Sequence, residues 1–300
     1  MFHSLATPLT STQASLNVPR RGARRDVAAG RTDGADTMCL VEELPLGGNL
    51  SASVKVGDTV RRRSGPWTPA VHALLEHLQR AGFGAAPQPL GMDDQGRAVL
   101  GFIPGEVHGG WPDPMPRWMF EDETTLAAAA RLLRRYHDSL LGFVAPPDAC
   151  WRIVAPGEYE VICHNDWAPY NSLFREHLPV AMLDWDSAGP GSRVWDVARS
   201  AYTWVPLYPR QDGVSNNVVL ALPQRASRLA TFCNAYGGVE RGEVLEVLVE
   251  QLRFLADFIQ SEADAGDPGF AKLAGWNVPN GLREDADLLL EQRAVLSGGR

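Results

Sequence analysis

The hydrophobic period changes once along this chain, and that change limits the folds open to it. From Leu40 to Val60, "LVEELPLGGNLSASVKVGDTV" alternates apolar and polar residues around a glycine turn and a Gly-Asp turn, the pattern of three short antiparallel strands. Thr68 then stands as a helix N-cap with Pro69 at the first helical position, and Val71, Leu74, Leu75 and Leu78 share one face until Gly82. Two more strand candidates flank "DDQG" and end in "AVLGFIPGE". Past Gly105 the spacing turns helical. Leu126, Ala129, Leu133, Tyr136, His137 and Leu140 recur on one face, and further helical stretches lie near 194–205, 222–236 and 242–262. Strands with one inserted helix, followed by helices, make an α+β chain with a sheet region ahead of a helical one.

With 300 residues, 45% of them hydrophobic, the chain can bury a core large enough for two lobes. A net charge of -8 argues against nucleic acid as a partner, because phosphate backbones call for a basic surface. The four cysteines stand far apart without paired spacing, which reads as reduced thiols in a cytoplasmic protein, not as a disulfide frame or zinc site. No run approaches about 18 apolar residues, so no membrane span is expected. Within residues 1–37, the stretch up to Arg25 carries four arginines and no acid, the composition of a transit peptide. The reading taken here is a disordered tail, or an extension ahead of a start at Met38, outside the fold.

The only strand signals inside the helical half are "YEVIC" and "VAMLDW", and between them stands "CHNDWAPYNSLF". The motif is expected in the loop of a hairpin formed by those two strands. His164, Asp166 and Asn171 spell H-x-D-x-x-x-x-N, and Asp184 ends the returning strand. Phosphoryl transfer needs a carboxylate to orient or deprotonate the accepting hydroxyl, and hard oxygens to hold Mg²⁺ against nucleotide phosphates. Asp166 suits the first role, and Asn171 and Asp184 suit the second.

With these residues the sequence resembles the aminoglycoside phosphotransferase and choline kinase-like family, small-molecule kinases on the protein-kinase fold. The resemblance is specific across residues 162–202 and follows the order of elements from about Met38 onward. It implies a two-lobed kinase-like fold, with a small antiparallel-sheet N-lobe over residues 38–103 and a larger, mainly helical C-lobe over 104–300. It implies that His164 braces the catalytic loop, Asp166 is the base, Asn171 and Asp184 bind magnesium, and Asp196 in "VWDVARSAY" anchors the loop without touching substrate. The substrates implied are ATP, with GTP as an alternative, and a hydroxyl on a small molecule whose identity the residues leave open.

The sheet half is less sharp. Gly47, Gly48 and Asn49 form a turn whose N–H groups could cradle phosphates, though a plain hairpin turn reads equally well. Where kinases of this fold carry a strand lysine, this chain has "TVRRR". Strand alternation puts Val60 and Arg62 on one face, which makes Arg62 the expected phosphate contact and Arg61 the second choice. Its acidic partner on the following helix is open, since neither His72 nor Glu76 fits the family spacing. Phe102 and Ile103 in "GFIPGE" would flank adenine at the hinge, unless the segment is only a linker. His137 reads as a satisfied core histidine. Trp167 and Trp185, beside Asp166 and Asp184, are expected to line the acceptor pocket. Asp186 either holds a second metal or pairs with an arginine. Two other readings compete: a catalytically silent nucleotide-binding module, and a protein kinase, the latter disfavoured because "DWD" stands where D-F-G would and no long activation segment follows.

Overall fold

The computed structural model describes residues 43–47, 53–108, 115–208 and 220–299. The N-terminal extension, Gly48 and Asn49 lie outside these described residues. Strands β1 (Leu44–Gly47), β2 (Ser53–Val56), β3 (Thr59–Arg62), β4 (Pro89–Met92) and β5 (Ala98–Gly101) form one antiparallel sheet in the order β1-β2-β3-β5-β4. Gly57 turns β2 into β3 at φ 59°, a left-handed conformation that glycine adopts without steric cost. Helix α1 (Thr68–Arg80) lies between β3 and β4 in sequence. Its buried face, Val71, Leu74, Leu75 and Leu78, joins the same core cluster as Phe83 and Leu100. Each such side chain contributes about 1.5–3 kcal/mol of burial. The helix begins one residue earlier than expected. Trp67 takes the cap position, and Thr68 Oγ1 accepts the Gly65 N–H at 2.9 Å, so the hydroxyl closes the preceding turn instead of capping.

The second half is mainly helical: α2 (Trp118–Glu121), α3 (Glu123–Asp138), α4 (Arg193–Trp204), α5 (Leu222–Tyr236), α6 (Arg241–Asp264), α7 (Pro268–Gly275) and α8 (Val278–Leu296). The last two were not foreseen as separate helices. α8 packs along α6 and buries Ala286, Leu289 and Leu296 beneath an acidic outer face. No described helix is long and apolar enough to cross a membrane.

The strand pairing around the motif differs from the expected hairpin. β6 (Val161–Cys163) pairs with β9 (Gly189–Gly191), while β7 (Ser172–Arg175) pairs with β8 (Leu178–Met182). "YEVIC" and "VAMLDW" therefore belong to different ladders, and residues 164–171 form the connection from β6 to β7. The cause is local: Glu176 and His177 both adopt left-handed backbone, at φ 49° and 65°, and turn β7 directly into β8. The sheet region approaches this hairpin closely. Glu106 and Phe174 exchange backbone hydrogen bonds at 3.0 and 2.7 Å, and a Cβ on Gly105 would overlap the Leu173 side chain, so only glycine fits there.

Candidate active site

Residues 164–171 are held in shape by a carboxylate that solvent does not reach. Asp196 sits in the first turn of α4, whose N-terminus is capped by Ser192 Oγ accepting the Trp195 N–H at 3.2 Å. Asp196 Oδ2 accepts the His164 N–H at 2.7 Å and Oδ1 accepts the Asn165 N–H at 2.9 Å. His137 Nε2 adds a third donor at 3.0 Å, and its Nδ1 lies 2.7 Å from the Tyr236 hydroxyl. Burial pushes Asp196 up, but His137 and the loop amides outweigh it and hold the carboxyl below the ordinary carboxylate value. His137 is thus a satisfied core histidine, as its apolar face suggested. Asn165 takes the left-handed region at φ 62°, which asparagine tolerates better than most residues, so successive N–H groups can reach one carboxylate.

His164 joins the loop to the end of β8. Its Nε2 lies 3.0 Å from Leu183 O, an acceptor only, so that nitrogen carries the proton and Nδ1 accepts the Asp166 N–H at 3.3 Å. Burial keeps the ring's proton affinity low, in keeping with this neutral tautomer. Leu183 N–H donates in turn to Asn171 O at 2.9 Å, which ties the far end of the loop to the residue before Asp184.

Asp166 is held at both oxygens. Asn171 Nδ2 donates to Oδ2 at 2.8 Å and to the Asp166 backbone carbonyl at 2.9 Å. Those two donations fix the amide's orientation and leave Asn171 Oδ1 without a hydrogen bond among the described residues. Oδ1 of Asp166 accepts from Arg199 Nη2 at 2.6 Å and from the Tyr170 hydroxyl at 3.2 Å. Burial raises the Asp166 carboxyl above its usual value, with Asp184 adding to the rise and Arg199 opposing it.

Asp184 adopts φ 60°, ψ 67°, a left-handed conformation uncommon for non-glycine residues but among those aspartate tolerates best. Arg62 Nη2, arriving from β3, donates to Asp184 Oδ1 at 2.6 Å and to Asp186 Oδ2 at 3.2 Å. Burial alone would lower the arginine's proton affinity; the two carboxylates outweigh it. Burial raises Asp184, but Arg62 outweighs it and holds the carboxyl below the ordinary carboxylate value, whereas Asp186, the lesser partner, is raised by burial. Arg61 points to the opposite side of the sheet, where it meets Thr59 and Asp93. Arg62 is therefore the strand cation of the cleft, and its acids come from 122 and 124 residues along the chain, not from α1. Glu76 pairs with Arg80 at the surface at 3.9 Å, and His72 lines a small cavity with Arg62, Trp185 and Asp186. Behind this group Arg152 lies between two rings, 4.3 Å from the centre of Trp67 and 4.8 Å from that of Phe270, with Asp267 at 3.4 Å.

The two tryptophans expected in an acceptor pocket are core residues instead. Trp167 and Trp185 are 0% and 1% exposed. Trp167 packs on Trp204 and His164, and Trp185 packs on Tyr136 and His164 with its Nε1–H donated to Met182 O. Phe102 and Ile103 are half-buried. The Phe102 N–H donates to Asp58 O at 2.9 Å, and Lys55 Nζ stands 3.9 Å over the ring. Gly47 ends β1 opposite Ser53. Two residues of the cleft had not been singled out, Tyr170 and Arg199. The signal for Arg199 was its spacing: three residues after Asp196 on a helix puts both on the face turned to the loop.

A five-stranded antiparallel sheet, a helical second half, and a loop that gathers a carboxylate, an amide and a second carboxylate beside a strand cation are the parts of a kinase-like phosphotransferase. Solved structures bear out the fold. A choline/ethanolamine kinase family protein from Mesorhizobium loti aligns with TM-score 0.54 at 15% identity over 88% of this chain and 95% of its own. A choline kinase from Cryptosporidium parvum aligns with TM-score 0.54 at 11% identity over 88% and 93%. Residues 114–247 match the model of the phosphotransferase enzyme family. The trifolitoxin immunity protein of Rhizobium leguminosarum bv. trifolii is 32% identical over 225 residues, 71% of this chain and 80% of that protein. The chain belongs to the phosphotransferase enzyme family.

Proposed function

We propose that this chain transfers the γ-phosphate of ATP, with GTP as an alternative donor, to a hydroxyl of a small acceptor. The observation that carries the reading is the convergence of Asp166, Asn171 and Asp184 through one continuous set of hydrogen bonds, with Arg62 reaching them from the sheet. In this reading Asp166 accepts the acceptor's O–H, aims its oxygen at the γ-phosphorus and takes the proton as the new P–O bond forms and the bond to departing ADP breaks. His164 and Asp196 hold the loop and touch no substrate. Asp186 shares Arg62 with Asp184 and takes the arginine-pairing role over that of a second metal ligand.

The residues fit a magnesium ion. Asn171 Oδ1 and Asp184 Oδ2 are hard oxygens that accept no hydrogen bond among the described residues, and these are the atoms that would hold it. When bound, Mg²⁺ would supply charge neutralisation on the phosphates. Arg62 is placed to turn from the carboxylates to those same phosphates, and its planar fork suits them. Phe102 and Ile103 would border the adenine, and Gly47 the phosphates.

The test is Mg²⁺-dependent transfer from ATP to a panel of hydroxyl-bearing amines, antibiotics, sugars and amino acids, run beside Asp166→Asn and Asp184→Ala. Turnover with one acceptor class, lost in both variants, supports the reading. Absence of any binding to ATP or GTP would overturn it.

The 32% likeness to an immunity protein favours a second reading, in which the acceptor is an antimicrobial toxin and the transfer protects the cell. Expression of wild type and Asp166→Asn in a trifolitoxin-sensitive strain addresses it. Protection by wild type alone supports transfer, protection by both points to a silent binding module, and protection by neither removes the second reading.

A further inference from the structure

Helix α4 contributes two side chains to the loop that carries Asp166, and they act at opposite ends of it. Asp196 binds the N–H groups of His164 and Asn165 at the loop's start. Arg199, one helical turn later, binds Asp166 Oδ1 at 2.6 Å and the Tyr170 hydroxyl at 3.2 Å, both through Nη2. Tyr170 donates its own O–H to the same Oδ1 at 3.2 Å, so guanidinium, phenol and carboxylate close a triangle. Asn171 secures the other oxygen. The Arg199 side chain is only 14% exposed and Asp166 26%, so water competes weakly for the pair. A carboxylate otherwise turns about its terminal torsion through a broad, two-fold profile; here donors from two separate elements leave it one orientation.

We propose that Arg199 is a positioning residue for Asp166, holding the carboxylate so that an arriving hydroxyl meets an acceptor already aimed. The hold on Asp166 stands on the geometry alone; its effect on rate rests on the phosphotransferase reading. A lysine at 199 could keep a charge near Oδ1, but its shorter, freely rotating ammonium would not reproduce the planar guanidinium's fixed approach to carboxylate and phenol. Tyr170→Phe removes one side of the triangle and leaves the ion pair.

Two measurements separate the hold from the reaction. The first is a double-mutant cycle in urea with Arg199→Met, Asp166→Asn and the double variant of the full chain, with Arg199→Lys and Tyr170→Phe alongside in case the methionine variant folds poorly. Arg199→Met should shift the urea midpoint down in the wild-type background and clearly less in the Asp166→Asn background; additive shifts overturn the hold whatever the turnover. The second is steady-state kinetics with the acceptor found in the panel. Arg199→Met should lower kcat by about 10- to 100-fold, the loss expected when a reacting group is misplaced by about 1 Å, and leave KM for ATP within about twofold. Arg199→Lys should recover part of that kcat, which a merely structural role would not show. An unchanged kcat, or a rise in KM for ATP alone, overturns the positioning role. A wild type that turns over no acceptor overturns the phosphotransferase reading, while the cycle still decides the pairing.

Discussion

Asp166 and Asp184 each meet an arginine at 2.6 Å, yet their proton affinities are displaced in opposite directions. Both are raised by burial. Asp184 then faces Arg62, with Arg152 and His164 behind it, and ends below the ordinary carboxylate value. Asp166 faces Arg199, but the negative charge of Asp184 works against that pairing, and it ends above. A single close ion pair therefore does not decide a carboxyl's state; burial and the remaining neighbours act beside it. The division suits a site in which one carboxylate receives a proton and the other stays charged for a cation.

The comparison breaks most visibly in the kinetics. Asp166→Asn should lower kcat by about 10²–10⁴-fold, the usual size of a general-base contribution, with nucleotide binding retained. Asp184→Asn should instead lose Mg²⁺-dependent nucleotide binding in calorimetry; if both variants lost the same parameter, the two carboxylates would not be divided in role. A third carboxylate sharpens the contrast. Asp196 is 0% exposed with three donors, and Asp196→Asn should cost about 2–4 kcal/mol in thermal unfolding, because buried donors lose a charged acceptor. Its folded carboxyl is held below the unfolded value, so its contribution is full above the unfolded carboxylate pKa and is lost as pH falls through the folded one. Asp196→Asn should accordingly flatten the acid limb of a stability-against-pH curve. Arg62→Met leaves Asp184 and Asp186 facing each other and should cost about 2 kcal/mol in urea, less than a fully buried pair because Asp184 is 38% exposed. Added Mg²⁺ should recover part of that loss. The smallest effect belongs to Glu76→Ala, below about 0.5 kcal/mol, since its partner Arg80 is 3.9 Å away at the surface.

The features legible in the sequence were those set by neighbours along the chain. The β2–β3 turn, the apolar face of α1 and the spacing within His164, Asp166 and Asn171 all follow from local period and turn chemistry. The pairing of β6 with β9 was not legible, because three-residue strands, one of them Gly-Pro-Gly, carry no period to read. Trp167 and Trp185 were placed beside the wrong surface for a related reason: adjacency to a functional residue does not fix the direction of a side chain in a loop. The acids that meet Arg62 were sought on the next helix, while the fold brings them from the far side of β8. Arg199 was readable from its helical spacing to Asp196, and Tyr170 from its place inside the motif.

The stack of Trp67, Arg152 and Phe270 fastens the residue ahead of α1 to α7 behind the cleft. Trp67 precedes the helix packed on the sheet, Phe270 lies on α7, and the guanidinium between them touches both rings. A hinge motion that parts sheet from helices has to pull that cation off at least one aromatic face, at about 0.5–2 kcal/mol per face. A penalty of that size disfavours the parted arrangement by about 2- to 30-fold per face. In the phosphotransferase reading, release of a bound nucleotide would then depend in part on a cation leaving its aromatic seat at the rear of the cleft.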